Sequence, residues 1–227
     1  MRKLLILTLM IFLLVGCTTD HPDPTHATVT VRMPTTEPEP IVVYPEAVED
    51  YLGTINDFSW PKWREWEFVM IHFCSAVVNH PDDPFNIDYV RQTFIDADVS
   101  IHYIIERDGT VRCYIPENRT AWHAGPGTWQ NDEKYTNSLN LYTIGIELVA
   151  IGSYEDMKGY MDREKYDAIP EAWIGYTDAQ YTSLKALLAD ISQRNNIPFD
   201  REHIIGHEEY SPKKTDPGEL FDWDRIL

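Results

Sequence analysis

Basic residues, cysteines and long apolar runs are all scarce in this sequence. Lys and Arg total 19 against 37 Asp and Glu, which gives a formal net charge of −18. Nucleic-acid-binding surfaces are basic, so this balance argues against DNA or RNA as a partner. Only Cys74 and Cys113 lie beyond residue 17. Two cysteines provide no disulfide framework, and their spacing leaves open whether they pair outside the cytoplasm or stay as free thiols.

The longest apolar run stands at the N-terminus, where two basic residues precede residues 4–15. This run is shorter than the ~20 residues that span a bilayer, and the arrangement is typical of a secretory signal peptide. The stretch LVGC at 14–17 resembles a bacterial lipobox. We therefore expect residues 1–16 to be a lipoprotein signal peptide and Cys17 to carry lipid. The alternative is an ordinary signal peptide followed by an incidental cysteine.

Residues 17–44 are rich in proline, threonine and acidic residues and contain no large apolar cluster. Such a segment cannot bury enough surface to fold, so it predicts a flexible tether. A lipid on Cys17 would then hold the following domain outside the cytoplasm, on the bacterial cell membrane. Residues 45–227 are long enough for one domain with its own core, which we expect to be a monomer.

Apolar patterning across residues 45–227 predicts an α/β (mixed α+β) fold, a single domain with a central mixed β-sheet flanked by helices. A capping box at Thr177 and Gln180 marks the start of the clearest helix. Between the predicted elements, residues 151–176 form an irregular excursion with at most one short helix. This excursion is a candidate border of the substrate groove. The other predicted elements are strands at 66–76 and 142–150, a helix at 85–97, a hairpin at 99–117 around Asp108-Gly109, and a final strand at 203–209.

Four histidines interrupt or end these apolar runs: His72, His102, His123 and His207. A single buried histidine is more often a hydrogen-bonded core residue than a ligand. His72 and His207, however, belong to predicted strands, and Asp216 follows in a proline-rich loop. Two imidazoles and a carboxylate form a ligand set for catalytic zinc if the two strands are neighbours. Because no short His-x-x-x-His motif is present, zinc is only a hypothesis at this point.

Several stretches of this sequence match one protein family and occur in that family's order. The combination is more specific for the family than any single stretch. From about residue 68 to the end, the chain resembles the zinc-dependent N-acetylmuramoyl-L-alanine amidases, which share their fold with the peptidoglycan recognition proteins. The resemblance implies this fold, a Zn²⁺ cofactor and cleavage of the amide between N-acetylmuramic acid and L-alanine. The stretches are FVMIHFCSA (68–76), VSIHYIIERDGTVRCYIPENRTAWHAG (99–125), NSLNLYTIGIELVA (137–150), YTDAQYTSLKALL (176–188) and IIGHEEYSPKKTDPG (204–218), followed by FDW.

The same resemblance implies a role for individual residues. His72, His207 and Asp216 would be the zinc ligands. Lys214, two positions before Asp216, would be a catalytic residue, and Glu147 in IGIEL would be the acid/base. Asp216 follows His207 by nine positions, and some relatives have a loop longer by one residue, which affects the loop's path rather than the identity of the ligand.

Other family members use a tyrosine directly before the histidine of the hairpin strand. Ile101 stands there in this chain, so the resemblance places it in the branch that uses glutamate. By the same resemblance, His123 and Trp122 are expected to bind substrate, and His102 to be structural or to support the site.

The expected function is therefore that of a peptidoglycan hydrolase that uses a zinc-activated water. The expected partners are peptidoglycan or muropeptides, and the membrane through the lipid on Cys17. One alternative is a non-catalytic peptidoglycan-binding module, as occurs in members of this fold that lack the full zinc set. The other is an amidase limited to soluble anhydro-muropeptides. The presence of all the implied site residues favours catalysis.

Overall fold

A computed structural model of the protein describes residues 44–227. The predicted signal peptide, Cys17 and the tether up to residue 43 lie outside the described residues. Tyr44, predicted as the last tether residue, packs into the core, and its backbone N–H donates to Tyr103 Oη at 2.7 Å. Across the described range, no helix has the length and apolar character needed to cross a membrane.

A six-stranded mixed sheet forms the centre of the fold, with the strand order β1-β5-β4-β7-β3-β8. All neighbouring pairs are parallel except β4 with β5. β2 and β6 pair separately as an antiparallel ribbon. The strands are β1 (Val48–Glu49), β2 (Ser59–Pro61), β3 (Phe68–Cys74), β4 (Tyr103–Ile105), β5 (Val111–Cys113), β6 (Arg119–Ala121), β7 (Thr143–Val149) and β8 (Ile204–Gly206).

Helices cover both faces of this sheet. Leu184 and Leu188 of the longest helix pack against Ile144 on one face. Val90 and Phe94 pack with residues of the other face. Burial of these apolar side chains is the main force that holds the layers together. The helices are α1 (Ile87–Ala97), α2 (Tyr154–Met157), α3 (Arg163–Asp167), α4 (Asp178–Asn195) and α5 (His207–Tyr210), and short 3₁₀ helices lie at Glu133–Tyr135, Leu139–Leu141, Glu171–Trp173 and Trp223–Arg225.

Most of the predicted elements are confirmed, and so is the fold class. β3 and β7 lie within the two predicted apolar strands and pair along seven residues each. The predicted hairpin is formed by β4 and β5, and Gly109 takes a φ of +90° in its turn. At the start of α4, Gln180 N–H donates to Thr177 Oγ1 at 3.1 Å, and Thr177 N–H donates to Gln180 Oε1 at 3.0 Å.

Two predicted segments differ from the structure. The final strand ends at Gly206, and the predicted strand residues from His207 onwards belong to α5. The chain turns there because the side chain of Glu209 accepts the Gly206 N–H at 2.6 Å, which starts the helix. The excursion 151–176 contains two short α-helices, capped by Ser153 and Asp162, rather than at most one.

Candidate metal centre and catalytic residues

Three ligand-type side chains converge at one edge of the sheet. His72 lies near the carboxyl end of β3, and His207 directly follows β8. Because β3 and β8 are parallel neighbours, their carboxyl ends lie together. Asp216 approaches from the loop 211–218, and its Oδ2 lies 2.7 Å from His72 Nδ1 and 3.0 Å from His207 Nδ1. The potential ligand atoms are all within 4.8 Å of one another.

The outer nitrogens of the two imidazoles have partners of their own. His207 Nε2 lies 2.9 Å from the carbonyl oxygen of Ala124, so this nitrogen carries a proton and donates. In a neutral His207, the lone pair on Nδ1 therefore faces the carboxylate of Asp216. The Nδ1 lone pair and the carboxylate oxygen repel each other at this distance unless a cation lies between them. Zinc favours a ligand set of imidazole nitrogens and carboxylate oxygens. The residues present thus fit a zinc ion.

His123 supports the ring of His72, because its Nδ1 lies 3.0 Å from His72 Nε2. Its other nitrogen lies 3.3 Å from Thr143 Oγ1. Gly145 leaves room for this ring, since a Cβ at that position would lie 2.7 Å from two atoms of His123. A partner on the outer nitrogen fixes the orientation and tautomer of a ligating histidine.

Burial sets the charge states around this cluster. Burial and the neighbouring charge of His207 lower the pKa of His72 to about 4. Burial and the proximity of His72 hold the pKa of His123 well below its ordinary value. For Asp216, burial opposes ionisation, but the interactions with the imidazoles of His207 and His72 outweigh it and lower the pKa of the carboxyl group. Neutral imidazoles and an ionised carboxylate are the forms that bind a metal.

Glu147 lies beside this cluster on β7, in register with His72 on β3. Register partners on neighbouring strands point to the same face of a sheet. The side chain is buried, and its Oε2 has no hydrogen-bond partner within residues 44–227. Burial and the charge of Asp216 raise the pKa of Glu147 to about 8. A buried carboxyl group with a raised pKa beside a metal cluster has the properties of a general acid or base.

Lys214 is exposed on the loop 211–218. Its backbone N–H donates to the carbonyl oxygen of Ser211 at 3.0 Å. Its ammonium group is close enough for the positive charge to act on both His72 and Glu147. The positive charge of Lys214 therefore lies within electrostatic reach of the cluster.

The excursion 151–176 holds the loop that carries Asp216. Tyr176 Oη donates to the carbonyl oxygen of Pro217 at 2.5 Å, and Thr215 Oγ1 donates to that of Asp156 at 3.3 Å. A cleft of about 210 Å³ opens beside Asp216, and its lining includes Val78, Met157 and Tyr160. The excursion therefore borders the candidate site, as expected for a candidate border of the substrate groove.

The two remaining aromatic candidates lie in different surroundings. The ring of Trp122 packs on Trp60, with 5.5 Å between centroids and an interplanar angle of 51°. His102 is buried, accepts the Gly145 N–H on Nδ1 at 3.0 Å, and donates from Nε2 to the carbonyl oxygen of Arg119 at 3.1 Å. Both nitrogens of His102 are thus satisfied by backbone, which agrees with the expected structural role.

Cys74 was missed as a neighbour of the site by sequence reasoning. Both Cys74 and Cys113 are free thiols. Cys74 follows His72 by two residues on β3, so both side chains point to one face, and the thiol forms a hydrogen bond with Glu147. The two-residue spacing was visible in the sequence, but the proximity to Glu147 depends on the pairing of β3 with β7.

Comparisons with known proteins agree on one family. A family model described as N-acetylmuramoyl-L-alanine amidase matches residues 62–219. A relative from Haemophilus influenzae, the 1,6-anhydro-N-acetylmuramyl-L-alanine amidase AmpD, is 38% identical over 183 residues, which cover 74% of this chain and 84% of that protein.

Solved structures show the same fold. A crystal structure of a selenomethionine derivative of AmpD superposes with a TM-score of 0.60 at 24% identity, covering 81% of this chain and 94% of that one. The Escherichia coli amidase AmiD, in complex with the substrate anhydro-N-acetylmuramic acid-L-Ala-D-γ-Glu-L-Lys, superposes with a TM-score of 0.52 at 25% identity. That match covers 74% of this chain and 57% of AmiD.

Proposed function

Because the chain belongs to the N-acetylmuramoyl-L-alanine amidase family, we propose that it uses a zinc site to hydrolyse the amide between N-acetylmuramic acid and L-alanine of the peptidoglycan stem peptide. The observation that carries the zinc proposal is the convergence of His72, His207 and Asp216 beside Glu147. Nδ1 of each histidine and Oδ2 of Asp216 would hold the ion. Bound zinc supplies Lewis acidity and lowers the pKa of a coordinated water.

The chain's own residues supply the proton transfers and the charge stabilisation. Glu147 accepts a proton from the attacking water and passes it to the nitrogen of L-alanine as the carbon–nitrogen bond breaks. Lys214 stabilises the negative charge that develops on the carbonyl oxygen. His123 orients His72 through their hydrogen bond. The products are a lactyl carboxylate on the sugar and a free amino group on the peptide.

Soluble anhydro-muropeptides are among the proposed substrates. Two observations favour them: the Haemophilus influenzae relative is named as a 1,6-anhydro-N-acetylmuramyl-L-alanine amidase, and the AmiD structure holds an anhydro-muropeptide. Family membership and the intact set of candidate residues disfavour a module that only binds peptidoglycan.

The proposal is tested by incubating the zinc-loaded protein with soluble muropeptides and, separately, with purified sacculi, and analysing the products by mass spectrometry. We expect free stem peptides with a new L-alanine amino terminus, and sugars that carry a free lactyl carboxylate. Products cut within the peptide or within the glycan would contradict the bond assignment. Bound but uncut substrates would support the binding module.

We further propose that Cys17 is lipidated and that the protein acts outside the cytoplasm, anchored to the bacterial cell membrane. The support is the basic N-terminus, the apolar run at 4–15 and the lipobox-like stretch that ends at Cys17. The proline- and threonine-rich residues that follow would allow the domain to stand off the membrane.

A further inference from the structure

Three tryptophans, Trp60, Trp63 and Trp122, form a continuous surface that we call the tryptophan platform. Trp122 packs on Trp60, and Trp63 stacks on Trp60 with 6.4 Å between centroids and an interplanar angle of 6°. Trp60 and Trp63 are 42% and 53% exposed. Tryptophan is highly buried on average, and single exposed apolar residues are common, but adjacent exposed indoles mark an interaction site.

Hydrogen bonds of the β2–β6 ribbon hold the platform in place. Trp60 is the register partner of Thr120. Arg119 donates from Nε to Ser59 Oγ at 3.0 Å and from a terminal nitrogen to the carbonyl oxygen of Ser59 at 3.0 Å. The backbone N–H of Trp122 donates to Ser100 Oγ at 2.8 Å. A ligand therefore meets Trp60 and Trp122 on a hydrogen-bonded frame, which lowers the entropic cost of binding, and Trp63 follows two residues after the end of β2.

The platform is connected to the candidate site through Trp122, which contacts Trp60. Trp122 directly precedes His123, which is hydrogen-bonded to His72. In the proposed reaction the muramyl sugar carries the scissile amide, so any sugars linked to it must lie on the adjoining surface. Because the lactyl carboxyl is consumed in that amide, this part of the glycan is uncharged, and the aliphatic face of a pyranose ring packs well on an indole. The net charge of −18 disfavours an anionic lipid surface as the occupant.

We propose that Trp60 and Trp63 form a carbohydrate subsite that binds the sugar residues linked to the muramyl residue whose amide is cleaved. This inference rests on the proposed function and deepens it. The subsite does not contact a substrate that has a single muramyl sugar, so it leaves kcat/KM for that substrate unchanged. It increases kcat/KM for substrates in which the muramyl residue is part of a longer glycan.

The test compares one stem peptide on a single N-acetylmuramic acid, on a disaccharide with N-acetylglucosamine, and on a tetrasaccharide. We expect Trp60→Ala and Trp63→Ala to cut the single-sugar substrate at the wild-type rate. On the longer substrates, kcat/KM falls about tenfold, the effect of losing one aromatic contact. Trp60→Phe restores most of the loss because it keeps an aromatic face. The control is Phe199→Ala, which removes an exposed aromatic side chain elsewhere and leaves all three rates unchanged.

Three results would overturn the subsite. In the first, the tryptophan variants lose activity equally on all three substrates, which indicates a structural effect. In the second, they lose no activity on the longer glycans and bind neutral lipid vesicles as the wild-type protein does. In the third, they keep the longer-glycan rate but no longer bind neutral lipid vesicles, which assigns the platform to the membrane. In each case, cleavage of the single-sugar substrate by the wild-type protein upholds the proposed function. A failure of the subsite is therefore distinguishable from a failure of the proposed function.

Discussion

His72 and Glu147 are register partners on β3 and β7, so a candidate metal ligand and a buried carboxyl group lie side by side on one face of the sheet. The two strands pair along their whole length at the centre of the sheet. Their side chains are therefore held in a fixed relation by backbone hydrogen bonds. Precise placement of this kind is what a general base beside a metal requires.

Replacing His207 by alanine should abolish metal binding, because it removes one of the three candidate ligands found within residues 44–227. We expect elemental analysis after dialysis to find one zinc per chain in the wild-type protein and almost none in His207→Ala. The matched control is His203→Ala, which changes a histidine four positions earlier whose Nδ1 contacts Asp200. One zinc per chain in His207→Ala would show that the ligand set is wrong.

Lys214→Ala should slow the chemical step and leave the metal in place. The variant loses a positive charge that stabilises the developing oxyanion, an effect of ~10²-fold on kcat. Lys213→Ala is the control, since it removes another exposed lysine from the neighbouring position of the same loop. Equal kcat values for the two variants would remove Lys214 from the mechanism.

His102 should make the fold sensitive to acid. Burial lowers the pKa of His102 from its ordinary value of 6.5 to about 4, so the unfolded chain takes up the proton first. The contribution of neutral His102 to the free energy of unfolding is therefore complete above pH 6.5. It is lost as the pH falls towards 4, by about 1 kcal/mol per pH unit. Compared with wild type, His102→Gln should show a flatter dependence of the free energy of unfolding on pH in denaturant titrations.

The paired comparison in those titrations isolates His102, because the other histidines titrate in both proteins. His102→Gln is expected to be the less stable protein at pH 8, since it disturbs the hydrogen bonds with Gly145 and Arg119. Parallel pH dependences for the two proteins would show that His102 is not held neutral by the fold.

Cys17→Ser should release the protein from the membrane, because the lipid-accepting thiol is lost. We expect cell fractionation to find wild-type protein in the membrane fraction, and the variant either as unprocessed precursor or in the soluble extracytoplasmic fraction. Processed Cys17→Ser protein that is retained on the membrane as well as wild type would contradict lipidation at this residue.

The long elements of the fold could be predicted because their patterns are local. The capping box of Thr177 and Gln180 and the buried stripe of α4 are visible in consecutive residues. β1, β2 and β6 were not predicted, because their sequences VE, SWP and RTA contain no apolar run of their own and the strands depend on their pairing partners. α2 and α3 were underestimated although Ser153 and Asp162 are typical N-caps.

The site was accessible to sequence reasoning only in part. His72 and Asp216 are 144 positions apart, and their contact depends on the parallel pairing of β3 with β8, which no local pattern specifies. The resemblance to a family supplied the grouping that spacing alone did not. The contact of Cys74 with Glu147 and the stacking of Trp63 on Trp60 appeared only in the folded chain.

Glu147→Gln is the sharpest test of the proposed mechanism, because it keeps the shape of the side chain while removing its ability to accept a proton. The measurement is the rate at which zinc-loaded protein releases peptides with a free L-alanine amino terminus from muropeptides, alongside the zinc content and the melting temperature. We predict one zinc per chain, an unchanged fold, and hydrolysis slower by ~10²-fold or more. If Glu147→Gln hydrolyses the substrate as fast as wild type, Glu147 is not the base and the proposed mechanism is wrong.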